Sequence, residues 1–422
     1  MYCGSCLRDN ALAAALLSLG QELTLVPAYT PLRVDEEAVS SKRIFFGAVD
    51  VYLQQAFSSQ RGRRGFLARL LGSQALLEWL SRFSLATTSQ NLGPLTVSML
   101  QGENGNQRRS LLELVDWLKV EIKPQVVHLT NSLLSGLARR MKEDLGAAVV
   151  CSLQGEDLFL GGLPEPHRAH ALELVRENGQ HVDRFTATCA YYADHMSSWV
   201  GLERSKIDVV LPGIRLADYA SRPAGEPEQR PLTLGYFARI CPEKGLHVLV
   251  EAFERLCASG AFPGLRLKVA GYLGGKDFRY ARAIRKMLAS EGLGDRVEIL
   301  GTVDRAAKLE FFRAIDVLSV PTVHAEPKGL FVLEALASGV PVVEPRHGSF
   351  PELIEATGGG LLFEPDDPFD LVRQLEALLK DEGLRRRLAE RGREAVRQRF
   401  SSERMAQETL AVYEALVPGG GA

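Results

Sequence analysis

Short apolar runs alternate with longer amphipathic stretches along most of this chain, and that alternation is the primary signal of its secondary structure. In the first half, strands are predicted at 22–29, 94–100, 126–129, 147–153 and 184–189. Residues 41–54 read as a strand pair or a bent strand. Helices are predicted at 10–19, 106–118 and 132–145, and on either side of the strand at 184–189. In the second half, apolar runs at 232–238, 265–271, 297–300, 317–320, 340–343 and 360–363 read as strands. Helical patterns at 369–379, 383–397 and 402–416 end the chain. Strands that alternate with helices imply parallel sheets covered on both faces, with ligands bound at the carboxyl ends of the strands.

Residues 216–231 carry three prolines, a glycine and scattered charge, the composition of a linker. The expected architecture is α/β, with two doubly wound, Rossmann-like domains facing across a cleft. Their bounds are 1–215 and 232–398, with 399–422 a final helix and tail that packs back on the first domain. No 20–50-residue repeat is present, which excludes a solenoid.

Composition narrows the function classes. A net charge of −2 over 422 residues argues against a general nucleic-acid surface. No run reaches the roughly 18 apolar residues of a membrane span. Six scattered cysteines do not form a disulfide framework, so a reducing, cytoplasmic setting is expected. The Cys3-x-x-Cys6 pair lacks a second pair to complete a zinc site, and reads as a small-residue turn. Residues 56–86 are basic and apolar, with Arg61, Arg63, Arg64, Arg69 and Arg82 set between helical faces against Glu78 alone. Such a segment either packs on its own domain or lies on an anionic membrane surface, which would be peripheral contact at the inner membrane face.

The densest chemistry lies in residues 324–334, His-Ala-Glu-Pro-Lys-Gly-Leu-Phe-Val-Leu-Glu, between the strands at 317–320 and 340–343. Pro327 holds Glu326 in a loop, a helix begins near Gly329, and Glu334 lies more than one turn into it. A helix start offers unpaired N–H groups with partial positive charge, and a glycine lets an anion come close. The two glutamates do not read as a glycosidase pair. Eight helical residues rise about 12 Å, beyond the roughly 5–9.5 Å that separates such carboxyls.

Arg239 falls just past one predicted strand and Lys244 opens the next helix, so one crevice at strand ends can hold both with the Glu326 loop. A planar fork and a point charge suit a diphosphate. The chain has no Asp-x-Asp, and Gly274-Gly275-Lys276-Asp277 fails the phosphate-loop pattern. Diphosphate charge would then be met by Arg239, Lys244 and a helix start, with no metal and no cofactor.

These residues resemble glycosyltransferase family 4, the retaining GT-B enzymes, most densely over 234–363. Glu326 and Glu334 match the family's Glu-x(7)-Glu motif. The resemblance implies that Glu334 bonds the ribose of a nucleotide donor and that Glu326 contacts the donor sugar. It implies that Arg239 and Lys244 bind the diphosphate, that backbone amides of Gly329, Leu330 and Phe331 approach the donor, and that Gly4 is the loop glycine facing the donor phosphate. Gln154 stands where many members carry a histidine at the acceptor side, with Asp157 close behind. Glutamine bonds hydroxyls but does not titrate near neutral pH; equally, Gln154 is an ordinary strand-end turn residue. The implied reaction is metal-independent, retaining sugar transfer from a nucleoside-diphosphate sugar to a glycan, lipid-linked or small-molecule hydroxyl. A non-catalytic nucleotide-sugar-binding protein and a GT-B epimerase or phosphorylase are the competing readings.

A doubly wound half normally opens with a buried strand, then a glycine-bearing turn, then a helix. Here the turn falls within six residues of Met1. The first strand is therefore expected to be missing, with Met1 internal to a longer product and about 15–25 residues ahead of it.

Overall fold

The computed structural model describes residues 4–28, 34–41, 45, 89–219 and 230–417. They cluster into two units, one of Leu12–Val210 with Ala406–Ala422 and the other of Met1–Ala11 with Leu211–Met405. Residues 4–11 thus group with the second half of the chain.

The first of these units contains the C-terminal part of helix α1 (Gly4–Ser18), then α2 (Ser89–Leu100), α3 (Arg108–Trp117), α4 (Ala138–Leu145), α5 (Asp157–Gly161), α6 (His167–Asn178) and α7 (Ala190–Val200). Its strands are β1 (Val126–Leu129), β2 (Ala148–Leu153), β3 (Arg184–Ala187) and β4 (Ile207–Val209), all parallel and in that spatial order. Val126 lies opposite Ala148, and Val150 opposite Arg184. Val149, Val150, Cys151 and Leu153 are fully buried, as expected of a parallel strand covered on both faces. Tyr413, on the last helix of the chain, shares a 2.6 Å hydrogen bond with His128 Nδ1 on β1. His128 Nε2 lies 2.8 Å from Ser152 Oγ on β2. Among the described residues β1 is paired on one side only.

Two strand expectations fail here. Residues 94–100 belong to α2, with Pro94 inside it. Val97, Met99 and Leu100 are all buried, and a helix segment buried this widely shows no 3.6-residue period to distinguish it from a strand. Residues 22–28 form no strand; Leu25 makes one parallel bridge to Ser40. Pro27 removes a ladder donor, and the neighbouring apolar side chains are only half-buried. The segment 132–145, expected as one helix, is a 3-10 turn Ser132–Leu137 followed by α4. The expectations for 56–86, most of 41–54 and most of the linker, with Cys3, lie outside the described residues.

The second unit follows the predicted alternation closely. Its elements are β5 (Thr233–Phe237), α8 (Leu246–Ala258), β6 (Arg266–Ala270), α9 (Phe278–Ser290), β7 (Val297–Gly301), α10 (Arg305–Ala314), β8 (Val317–Leu318) and α11 (Leu330–Ala337). They continue through β9 (Val342–Pro345), α12 (Phe350–Thr357), β10 (Gly360–Phe363), α13 (Pro368–Lys380) and α14 (Glu382–Arg399); the last helix, α15 (Ser402–Leu416), begins in this unit and from Ala406 belongs to the first. The sheet order is β10-β9-β8-β5-β6-β7, every pair parallel. Strand order therefore reverses at β5, which has β6 on one side and β8 on the other. Leu246, Leu249, Val250, Phe253 and Leu256 repeat at helical spacing along α8 and are all buried in the core of this unit. No helix among the described residues is long and apolar enough to cross a membrane.

Candidate active site

The reversal at β5 decides what meets at the carboxyl edge of the second sheet. The loop after β5 carries Arg239 and Lys244, and the loop after the neighbouring β8 carries Glu326. Two glycines allow the loops to close on each other. Gly245 has φ +69, and a Cβ there would lie 1.7 Å from Pro321 O. Gly348 has φ +60, and a Cβ there would lie 2.6 Å from both Glu326 N and Glu326 O. Val323 N donates to Glu243 O at 3.2 Å, and Ser349 N donates to Glu326 O at 2.8 Å. Tyr236 Oη reaches Arg239 O at 3.0 Å and Lys244 O at 3.3 Å, tying together both ends of the β5 loop.

Lys244 Nζ donates to Glu326 Oε2 in an ion pair whose carboxylate is 8% exposed. The other oxygen, Oε1, accepts from the backbone N–H groups of Lys328 and Gly329, each at 3.3 Å. Burial pushes the Glu326 carboxyl up, but Lys244, Lys328 and the Gly329 amide outweigh it and bring it down to about 2. Lys244 Nζ also sits 6.0 Å from the Phe331 ring centroid. At the start of α11, Gly329 N–H is thus engaged by Glu326. The next two donors, on Leu330 and Phe331, have no acceptor among the described residues, as the first turn of a helix leaves them. Gly4 opens α1 against this loop: a Cβ there would lie 3.8 Å from Leu330 Cδ1 and 3.9 Å from Lys328 Cε. Lys328 Nζ donates to Ser5 Oγ at 2.9 Å.

The Arg239 guanidinium is half-buried. Burial works against its charge, but Cys241, Glu243 and Asp277 outweigh that and raise its affinity for the proton. No carboxylate is within ion-pair distance of it among the described residues. Glu334, one turn into α11, is buried and bound elsewhere: its Oε1 accepts from Lys308 Nζ at 2.7 Å and from Tyr219 Oη at 3.0 Å. Glu326 and Glu334 are therefore held by two different lysines.

Sequence reasoning missed Lys308, Tyr219 and Glu344. Lys308 had a signal, since it lies three and four positions before the buried Phe311 and Phe312 and so occupies the core face of α10. Glu344 had none, because it simply ends an apolar strand. It is fully buried, accepts from Val320 N at 3.2 Å through Oε1, and leaves Oε2 without a partner. Burial, reinforced by nearby Glu326, pushes its carboxyl well above the usual range.

Gln154 and Asp157 belong to the other unit. Gln154 directly follows β2 and donates from Nε2 to Thr130 O at 2.8 Å, which ties the segments after β1 and β2 together. Its backbone N–H donates to Glu156 Oε2 at 2.7 Å, and Glu156 Oε1 accepts from Ser132 N at 3.0 Å and Ser132 Oγ at 2.7 Å. Asp157 Oδ1 accepts from Tyr192 Oη at 3.0 Å, and Oδ2 lies 3.5 Å from His195 Nε2. Among the described residues no group of three or more His, Cys, Asp or Glu side chains could hold a metal ion.

With this geometry in place, comparison with known proteins is decisive for the family. Residues 10–213 match the family model "Glycosyl transferase 4-like domain", and residues 220–395 match "Glycosyl transferases group 1". The chain belongs to the GT-B glycosyltransferases of the family 4 type. A D-inositol 3-phosphate glycosyltransferase of Segniliparus rotundus is 29% identical over 314 residues, covering 70% of this chain and 67% of that one. Its counterpart from Xylanimonas cellulosilytica is 33% identical over 267 residues, covering 60% and 61%. The chain thus spans about three-fifths to two-thirds of the length of these curated relatives. Anabaena HepE, solved in complex with UDP-glucose, superposes with a TM-score of 0.64 at 16% identity over 93% of this chain and 100% of that one. At that identity the likeness speaks for the GT-B fold alone.

Proposed function

We propose that this GT-B protein moves a sugar from a nucleoside-diphosphate sugar to a hydroxyl acceptor, with retention and without a metal. The observation that carries the reading is the charge set at the reversal of the second sheet. Arg239, Lys244 and the N–H groups of Leu330 and Phe331, which have no acceptor among the described residues, offer a fork, a point charge and a helix start to one diphosphate. Burying the Lys244–Glu326 and Lys308–Glu334 pairs is expensive, and such pairs are weak contributors to stability, so a ligand accounts for them better than folding does. The names of the curated relatives and the UDP-glucose bound by HepE support a nucleotide-sugar donor.

In this reading the C1–O bond to the diphosphate breaks as negative charge grows on the leaving oxygens, which Arg239, Lys244 and the helix amides stabilise. Glu326 lies beside the donor sugar, and Glu334 takes the ribose hydroxyls. The acceptor oxygen attacks C1 from the face the diphosphate leaves, and its proton passes to the departing phosphate oxygen. Gln154 and Asp157 are the acceptor-side residues of this reading. The acceptor is a hydroxyl of a glycan, a lipid-linked sugar or a small polyol.

The test is nucleoside diphosphate release in EDTA, run over UDP-, GDP- and ADP-sugars with glycan, lipid-linked and polyol phosphate acceptors. Acceptor-dependent release supports the reading, as does a product with the donor's anomeric configuration. Release that requires added Mg²⁺ or Mn²⁺ overturns its metal independence. Saturable binding with no turnover on any acceptor makes the protein a nucleotide-sugar binder.

A further inference from the structure

The Lys308–Glu334 pair is built in a way that a simple core salt bridge does not require. Lys308, in the first turn of α10, is 3% exposed. Its Nζ donates to Glu334 Oε1 at 2.7 Å, and Tyr219 Oη donates to the same oxygen at 3.0 Å. Tyr219 is in turn held from behind. Arg305, one turn before Lys308 on α10, donates from Nη1 to Tyr219 Oη at 3.2 Å, and its guanidinium carbon stands 4.8 Å from the Tyr219 ring centroid. Arg305 Nη2 donates to Asp218 Oδ2 at 3.1 Å, which fixes the arginine. Arg305 to Tyr219 to Glu334 is therefore a chain of donors running one way, each bond polarising the next.

Every one of these donors that reaches Glu334 ends on Oε1. Oε2 receives none among the described residues. A carboxylate oxygen accepts at about two positions, so Oε1 is filled and Oε2 keeps two. Two is the number that the paired O–H groups of a vicinal diol need. An isolated buried carboxylate is costly to keep charged, and a protonated one would offer a donor where an acceptor is wanted. Lys308 supplies the counter-charge at Oε1.

We propose that Lys308 and Tyr219 are positioning residues that make Glu334 a one-sided acceptor for the vicinal hydroxyls of a ribose, and so set the preference of this site for ribonucleotides over 2′-deoxyribonucleotides. The proposal rests on the reading of the second unit as a nucleoside-diphosphate site. It adds two residues and a selectivity to that reading.

The experiment is isothermal titration of the full chain with UDP, GDP and ADP, each beside its 2′-deoxy counterpart. Wild type, Lys308→Met and Tyr219→Phe are compared. Wild type is expected to prefer the ribose form of whichever base it binds by about tenfold or more, equivalent to about 1.4 kcal/mol. In both variants that ratio should collapse to within about threefold, through weaker binding of the ribose form with the deoxy form little changed. Equal weakening of both forms, or an unchanged ratio, assigns the pair a structural role and overturns the proposal. A wild type without a ribose preference overturns it too. Should Lys308→Met fail to fold, Tyr219→Phe decides alone, since it removes one neutral donor and leaves the ion pair. If no diphosphate binds the wild type, the reading of the site itself has failed; if one binds and the ratio is indifferent to both variants, only this inference has.

Discussion

Lys244 and Glu326 face each other from the loops after two adjacent strands, and the cation that suits a diphosphate is already spoken for by a carboxylate. An incoming phosphate must therefore compete with Glu326 for Lys244. Glu326 would not be left bare by that exchange, because its other oxygen still caps the amides of Lys328 and Gly329. In the proposed reading the site would exchange one anion for another at fixed cations, which would limit the reorganisation needed when the donor arrives.

Loss of either cation should be severe. Arg239→Ala and Lys244→Ala are each expected to lower turnover by about 100-fold or more, since removing one preorganised stabiliser of developing charge costs about 2.7–4 kcal/mol. Steady-state nucleoside diphosphate release in EDTA checks this. A loss of less than about tenfold in both would mean that the diphosphate charge is met elsewhere.

The two glutamates should separate kinetically, because they are held by different lysines. Glu334→Gln is expected to raise KM for the sugar nucleotide with kcat little changed, and Glu326→Gln to lower kcat with KM little changed. Parallel changes in both parameters for both variants would contradict separate roles.

How much of this was legible beforehand follows from the kind of signal each residue leaves. The strands of the second unit were visible because buried parallel strands are continuous apolar runs, and Glu326, Arg239 and Lys244 stood out as charges at their carboxyl ends. The α2 segment was misread because Leu-Thr-Val-Ser-Met-Leu, buried as a helix, carries the composition of a strand. Leu23 to Val26 alternates like a strand, yet pairing in a ladder depends on partners that no local pattern specifies. Lys308 was overlooked although it interrupts an apolar helix face. Glu344 left no trace, because its burial follows from the β8 and β10 strands on either side of it.

The pH dependence of stability should carry two opposite contributions. Glu344 is held well above the ordinary carboxyl range in the folded chain, so above about pH 4.5 the native state binds the extra proton and stability falls as pH rises. Glu344→Gln keeps an acceptor for Val320 N without that proton, so its Tm should exceed that of wild type at pH 7–8 and approach it near pH 4, on the scale of a few degrees (about 2–4 °C per kcal/mol for a large domain). Glu326 acts the other way. Its folded value of about 2 lies below the ordinary 4.5, so its contribution is complete above pH 4.5 and is lost as pH falls towards 2. Glu326→Gln should therefore flatten the acid limb of the Tm profile. A Glu344→Gln profile parallel to wild type from pH 4 to 8 would show that Glu344 is charged in the folded chain.

The proposed function depends on a diphosphate site in the second unit, met by Arg239, Lys244 and the start of α11. The most direct measurement is calorimetric titration of the wild-type chain in EDTA with UDP, GDP and ADP, each paired with its monophosphate. One diphosphate is expected to saturate the protein at a single site, with its monophosphate weaker by about 30-fold or more, since the cations and helix amides are matched to two phosphates rather than one. No binding of any diphosphate, or equal affinity for the mono- and diphosphate of the base that binds, would contradict a diphosphate site there.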